Sequence, residues 1–409
     1  MKKSLVALAA LAATGASFAQ SSVTIYGNAD AAYTSASSGD NKVTGVFGAG
    51  SSSNLLGFMG TEDLGGGWKA NFKLEAQYSL DSGIGVSSNA NNQATGGLTT
   101  QSGPATAPLL NGATAASTDR ASLAGAQGLT FNRWSYAGLS NAAIGEFRIG
   151  REYTPAFQAV LAADVVGATG VGNSLNMTYF IAGQTANAVA TAASASNGIS
   201  YESPSMSGLK VKGQYFQGEN PSTGTAATLN TAKNGDGTSF HISYANGPLS
   251  AGYGATASKS TSVQATNGAG LPGKYEVNTF YAKYDFGRAL ATLAQTTEKQ
   301  AGNATTASAL KNVSTTYGVR VPLGAYTVNA NYITSEYTVA GTTTAKATQL
   351  ALQGVYAMSK RTALYATYAV TDNSVGNAYG LGNGAARVVT VNGAAAKSTG
   401  YQLGMRHSF

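Results

Sequence analysis

The sequence predicts an all-β fold, a 16-stranded antiparallel transmembrane β-barrel, and three observations carry that reading. Long segments alternate apolar and polar residues with period two. The connections between them are sharply unequal in length. The chain is glycine-rich, carries only 11% charged residues and has no cysteine.

A leader precedes the barrel. MKKSLVALAALAATGASFAQ joins a basic start at Lys2 and Lys3, an apolar run from Leu5 and the small-x-small pattern Ser17-Phe18-Ala19, which is the layout of a secretory signal peptide. The expected organisation is a signal peptide over 1–19 and the barrel over 20–409. The leader's apolar run of about 15 residues is shorter than the roughly 18 to 20 that a spanning helix needs. An exported chain without cysteine has no disulfide framework, so stability comes from packing or from a non-aqueous environment. The formal net charge of +7 falls by the two leader lysines. With no Lys/Arg cluster, the mildly basic remainder excludes nucleic acid as a partner. Polar low-complexity stretches such as 88–108 would read as disorder alone, but they alternate with strongly patterned segments.

WKANFKLEAQYSL (68–80) shows the pattern. Trp68, Ala70, Phe72, Leu74, Ala76, Tyr78 and Leu80 share one parity, while Lys69, Asn71, Lys73, Glu75, Gln77 and Ser79 share the other. Period two means a strand with one apolar and one polar face. The run is far longer than the usual five or six residues of a soluble strand. YEVNTFYAKYDF, STTYGVRV, AYTVNANYI, KATQLALQGVYAM, RTALYATYAV and the terminal YQLGMRHSF repeat it.

The links DLGGG, LSNAAIGE, MSGL, ANGPL, DFGR, PLGA and MSKR are short, whereas the spans near 81–129, 153–197 and 372–397 are long. Strict alternation of short and long links, with both chain ends on the short side, is the pattern of an outer-membrane barrel. A closed sheet satisfies every backbone group inside lipid. Tyr26, Tyr78, Tyr201, Tyr284, Tyr326, Tyr356 and Tyr401 fall near strand ends, where aromatic girdles are expected.

SNLLGFMGTEDLGGGWKANFKLEAQ, FNRWSYAGLS, FRIGREYTPAF, SKRTALYATYA and the final MRHSF closely resemble the general diffusion porins of beta-proteobacteria, the Neisseria, Burkholderia and Comamonas type. The resemblance runs over nearly the whole mature chain. It implies a homotrimer in the Gram-negative outer membrane, surrounded by lipid and lipopolysaccharide, that passes small ions and solutes passively. It also implies a third extracellular loop folded into the lumen. The alternating Tyr401, Leu403 and Met405 with terminal Phe409 look like the signal read by the barrel-assembly machinery.

A barrel of this size leaves a water-filled lumen, so selectivity needs an infolded loop. TPAFQAVLAADVVGATGVGNSLNMTYF (154–180) is the candidate, with Asp164 as its acidic residue. Facing it, the polar parity offers Lys73, Glu75, Arg133 and Arg148, with Arg151 where a strand runs into the loop. The resemblance places Glu75, Arg133 and Asp164 on positions that the family uses in its constriction. Opposed charges across a narrow gap set up a transverse field that filters ions. Where the family commonly carries Arg before EDLGGG, this chain has Leu55 and Met59. Basic residues still exceed acidic ones on the polar parity (Lys69, Lys73, Arg133, Arg148, Lys210, Lys212, Lys283, Arg320 and Arg406 against Glu75, Glu146, Glu276 and Asp285), so a weak anion preference is expected.

Other signals fall away. GAGLPG (268–273) fits a dinucleotide-binding string but precedes an alternating strand instead of the helix that motif needs. NGDG near Asp236 lacks the later ligands of a calcium loop. His241 and His407 form no nucleophile–base pair, no G-x-S-x-G elbow appears, and neither enzymatic activity nor a metal or organic cofactor is expected. No aromatic ladder is evident on the polar parity, which argues against a dedicated sugar path.

Overall fold

The computed structural model describes residues 22–86, 92, 129–179, 181, 193–218, 233, 235–262, 271–301, 309–376, 379–383, 386–388 and 397–409. The expected leader and most of the 81–129 span lie outside these residues. The wall is built from β1 (Ser22–Ser38), β2 (Asn41–Gly48), β3 (Leu55–Gly65), β4 (Trp68–Gln77), β5 (Trp134–Asn141), β6 (Gly145–Tyr153), β7 (Ser194–Glu202) and β8 (Leu209–Phe216). It continues through β9 (Gly237–Asn246), β10 (Leu249–Ser262), β11 (Leu271–Asp285), β12 (Leu290–Ala301), β13 (Leu310–Leu323), β14 (Tyr326–Val339), β15 (Thr342–Ala357) and β16 (Thr362–Val375). A small hairpin of β17 (Leu381–Asn383) and β18 (Ala386–Val388) precedes the closing strand β19 (Lys397–Ser408).

Neighbouring strands run antiparallel, and β19 pairs with both β16 and β1, from Asn28↔Ser408 to Ser38↔Ser398 on the β1 side. The sheet therefore has no free edge, which is the condition for placing strands in lipid. Its 17 strands make 16 staves. Ala31–Ser38 of β1 pair with β2, and Ser22–Asn28 pair with β3, so β2 and β3 are two halves of one broken stave. At the break the buried Asp30 carboxylate accepts from the amides of Gly50 (2.9 Å), Ser51 (3.1 Å) and Ser52 (2.8 Å) and from the Tyr365 hydroxyl. The interruption thus keeps its polar groups satisfied inside the wall.

The start of β1, the C-terminal residue and the short turns share one rim. Strict alternation fails, however, because two connections at the opposite rim are tight: Gly39-Asp40 between β1 and β2, and Ala340-Gly341 between β14 and β15. Gly39, Ala340 and Gly341 have φ of 58°, 50° and 82°, the left-handed backbone that two-residue hairpins demand.

The apolar parity points outward along the strands, as at Ile149, Leu323, Leu352 and Leu403. Near the short-turn rim, Tyr326 stacks on Tyr356 (4.8 Å) and Tyr284 meets Phe286 (4.7 Å). Two of the tyrosines expected in these girdles turn inward instead: Tyr26 donates to Glu75, and the Tyr78 hydroxyl donates to the Asn28 carbonyl. Glu276 is corrected in the opposite sense. It lies on the outward parity of β11, between the buried Tyr275 and Val277. At that end the apolar parity faces inward, where Tyr275 and Val277 receive the infolded loop, so the alternation is inverted there.

The apolar clusters lie inside the barrel, between its wall and the loop after β6. Thr154 caps α1 (Pro155–Ala163) by accepting from the Phe157 amide, and proline occupies the first turn, where its missing N–H costs nothing. Phe157, Val160, Tyr179 and Ile181 pack on Tyr275 and Val277 of β11. Val165, Val166 and Val171 pack on Ala36, Ala351 and Ala369. Met177, in α2 (Leu175–Thr178), packs on Ile333, Ala345 and Ala347. Close approach is possible because Gly254 on β10 faces the helix, where an added Cβ would lie 2.8 Å from the Ala156 Cα. The apolar character of 154–181 folds this loop inward by burying it against the wall.

Candidate functional site

The loop covers the lumen face from β8 to β16 and on through β19 to β1, and among the described residues it leaves the β3–β7 face open. Period two on β4 puts Lys73 and Glu75 on that face, and pairing sets Trp134 beside Glu75 and Tyr136 beside Lys73. Arg133 Nε lies 2.6 Å from Glu75 Oε1, Lys73 Nζ lies 3.2 Å from Oε2, and the Tyr26 hydroxyl donates to Oε2 at 2.7 Å. The carboxylate is 4% exposed, against 25% for Lys73 and 17% for Arg133. Two cations thus meet the lumen while the anion that balances one of them is buried behind.

Arg148 forms a second knot with Glu146 (2.5 Å), Glu152 (3.2 Å) and Glu202 (3.4 Å), and Glu152 also holds Lys212 at 2.6 Å. Neither Glu152 nor Glu202 was singled out from the sequence. Glu202 ends β7 in register with Glu146, whereas Glu152 lies past a bulge between Gly150 and Glu152 that breaks the register of β6 with β7. Across β3–β8, Lys69, Lys73, Arg133, Arg148, Lys210 and Lys212 outnumber Asp63, Glu75, Glu146, Glu152 and Glu202 by one.

Arg151 takes a different role, donating to the Asn132 carbonyl (2.5 Å) and the Ser196 hydroxyl (2.6 Å). It ties the segment entering β5 to β7. Asp164, at the end of α1, accepts from the amides of Val166 (2.9 Å) and Gly167 (3.0 Å), from the Ser174 hydroxyl (2.5 Å) and from Asn331 Nδ2 on β14 (2.6 Å). These partners are neutral, so the carboxylate fastens the loop to the wall behind it. Arg320 adds a bond to the Val165 carbonyl (2.9 Å), and buried Glu298 accepts from the Ile181 amide (3.0 Å) and the Tyr275 hydroxyl (2.8 Å). Burial, then the Glu298 carboxylate, pushes the Tyr179 phenol well above its usual range, so it stays neutral.

An aromatic stripe lines the open wall, contrary to the sequence expectation. Trp134 lies against Tyr136 (5.9 Å) and Tyr153 (5.4 Å). Lys73 sits 4.5 Å over the Trp134 ring, Arg133 5.0 Å over Tyr153 and Arg148 5.2 Å over Tyr136. These contacts hold the cations in place. Leu55 and Met59 share the lumen parity, Leu55 opposite Gln77 and Met59 opposite Lys73, so the wall beside the cations is apolar there. Among the described residues, no group of three or more His, Asp or Glu side chains is placed to hold a metal ion.

A family model described as "Gram-negative porin" matches residues 5–376. The chain belongs to the Gram-negative porin family. Outer membrane porin protein 32 of Delftia acidovorans is 33% identical over 415 residues, covering 100% of both chains. Among solved structures, the anion-selective porin from Comamonas acidovorans is 30% identical with a TM-score of 0.72, covering 95% of this chain and 100% of that one. The trimer form of OmpT from Vibrio cholerae is 13% identical with a TM-score of 0.62, covering 95% and 99%, a likeness of fold alone. This porin is therefore an outer-membrane channel for passive diffusion and not an enzyme, and the long loops mark its extracellular rim.

Proposed function

We propose that this porin is a homotrimeric, weakly anion-selective channel for small hydrophilic solutes and ions, reached after removal of a signal peptide over 1–19. Lys73, Glu75, Arg133, Arg148, Arg151 and Asp164 shape its constriction, the first four by charge and the last two by holding the strand entry and the loop. The observation that carries the selectivity is the unequal exposure in the Glu75 cluster, where both cations meet the lumen and the carboxylate does not. A solute therefore samples more positive than negative potential. The anion selectivity of the Comamonas relative points the same way, and the trimer form of the Vibrio OmpT supports the assembly. Tyr401, Leu403 and Met405, exposed on the lipid face, with Phe409, form the address for the barrel-assembly machinery, and lipopolysaccharide surrounds the extracellular half.

Single-channel current in a planar bilayer under a KCl gradient tests the reading. Steps in threes and a reversal potential of anion-selective sign are expected. A cation-selective sign overturns the preference, single independent steps overturn the trimer, and no current from folded protein overturns the channel.

A further inference from the structure

The outward faces of β10–β13 end, at the extracellular rim, in a row of exposed lysines: Lys259, Lys274, Lys299 and Lys311. Pairing sets Lys259 directly opposite Lys274 and Lys299 directly opposite Lys311. Like charges opposed across an antiparallel ladder are destabilising, and this row contains two such pairs. Its one outward carboxylate is Glu276, 2.6 Å from Lys274 and opposite Lys299. Neighbouring Glu298 faces inward and is 0% exposed. At the β13 end, Glu336 of β14 faces both Lys346, at 3.6 Å, and Lys311, and Lys397 stands opposite Asp372, so Lys346 and the four lysines of the row share two carboxylates, Glu276 and Glu336.

The height of the row is informative. A tilted strand crosses the hydrocarbon layer in about 10 residues, and that count along β10, β11 and β13 from the outward Leu249, Tyr284 and Val321 arrives at Lys259, Lys274 and Lys311. The row therefore stands at the outer-leaflet headgroups, where an anion would relieve the repulsion. Four adjacent strands at about 4.8 Å spacing give a width near 15 Å, which suits a saccharide headgroup bearing two phosphates better than a single phosphate.

We propose that Lys259, Lys274, Lys299 and Lys311 bind the phosphate groups of lipopolysaccharide. This rests on the outer-membrane placement of the chain and not on its ion selectivity.

The test uses the folded full-length porin and its Lys259→Gln/Lys274→Gln/Lys299→Gln/Lys311→Gln variant. Their binding is compared for lipopolysaccharide, the same lipid stripped of its phosphates, and phosphatidylglycerol. Since each lysine near an anionic surface contributes roughly fivefold, the wild type should bind intact lipopolysaccharide at least about tenfold more tightly than the variant. It should also prefer it to the dephosphorylated lipid and to phosphatidylglycerol. Equal binding by wild type and variant overturns the proposal, as does equal binding of phosphatidylglycerol, which would make the row a general anionic-lipid contact. Unchanged single-channel conductance of the variant confirms that it is folded and keeps this outcome separate from the channel reading. If conductance is lost, the pair Lys259→Gln/Lys311→Gln, which leaves the Lys274–Glu276 ion pair intact, replaces it.

Discussion

Arg133 Nε stands 2.6 Å from Glu75 Oε1 across the mouth of the long span between β4 and β5. The contact brings together residues far apart in the chain, and it divides the wall's charge into a buried anion and two lumen-facing cations. Glu75→Gln keeps the shape and an acceptor for Tyr26 while removing the negative charge. A unit charge about 4 Å away is worth about 1 kcal/mol in water, so the anion-to-cation permeability ratio should rise roughly fivefold. Reversal potentials in a salt gradient measure this. An unchanged ratio would mean that ions pass elsewhere.

Met59 faces the lumen opposite Lys73 and is 43% exposed. Met59→Arg adds a cation to the same wall without burying it, so it should strengthen anion preference by an amount similar to Glu75→Gln and narrow the path, lowering conductance. Leu55→Arg should act in the same direction, and the two should add because the sites are well separated along β3. A fall in anion preference in either variant would contradict the lumen assignment of this parity.

The barrel was legible in the sequence because the strands announce themselves: WKANFKLEAQYSL needs only a period-two count. The break at 49–54 was not, because its cause is the fit of two strands to one neighbour and the Asp30 cage, which join residues distant in sequence. Similarly, Lys73, Glu75 and Arg133 were legible as polar-parity residues, whereas the ion pairs among them depend on which strand lies beside which. Tyr26 read as a girdle residue by position, yet its hydroxyl completes the Glu75 site. Alternation specifies a face only where one side meets lipid, and therefore it misplaced Glu276 at the rim.

Asp164 anchors the infolded loop through four hydrogen bonds, one of them to Asn331 on β14. Asp164→Asn places an amide N–H against donors that a carboxylate satisfies, with a cost of about 1–3 kcal/mol. The barrel ladder is untouched, so thermal unfolding should shift by only a few degrees. Single-channel records should instead become noisier, with added substates, as the loop samples positions off the wall. Asn331→Ala should reproduce the noise. Asp372→Asn, on the outward face, should not. Quiet records from both loop variants would show that the apolar packing of Val165, Val166 and Val171 is sufficient to hold the loop.

Phe409 closes the barrel at its periplasmic rim: the Gly27 amide donates to its carbonyl at 3.0 Å, and its own amide donates to the Gly27 carbonyl at 3.1 Å. The ring lies over Gly27 so closely that an added Cβ there would stand 2.3 Å from it. Deleting Phe409 removes one rung from a ladder that otherwise runs from Asn28↔Ser408 to Ser38↔Ser398, so the variant should still refold in detergent to a heat-modifiable barrel. In cells, by contrast, the amount reaching the outer membrane should fall several-fold, since the proposed assembly address would be read before the barrel exists. Phe409→Tyr, which keeps an aromatic ring at the end, should restore most of the cellular yield. Gly27→Val separates the two roles from the other side: it disturbs the packing of the ring but leaves the terminal residue intact, so it should impair refolding in detergent and cellular yield alike. If deletion of Phe409 lowers both yields equally, the residue serves closure of the barrel and the assembly address lies in Tyr401, Leu403 and Met405 alone.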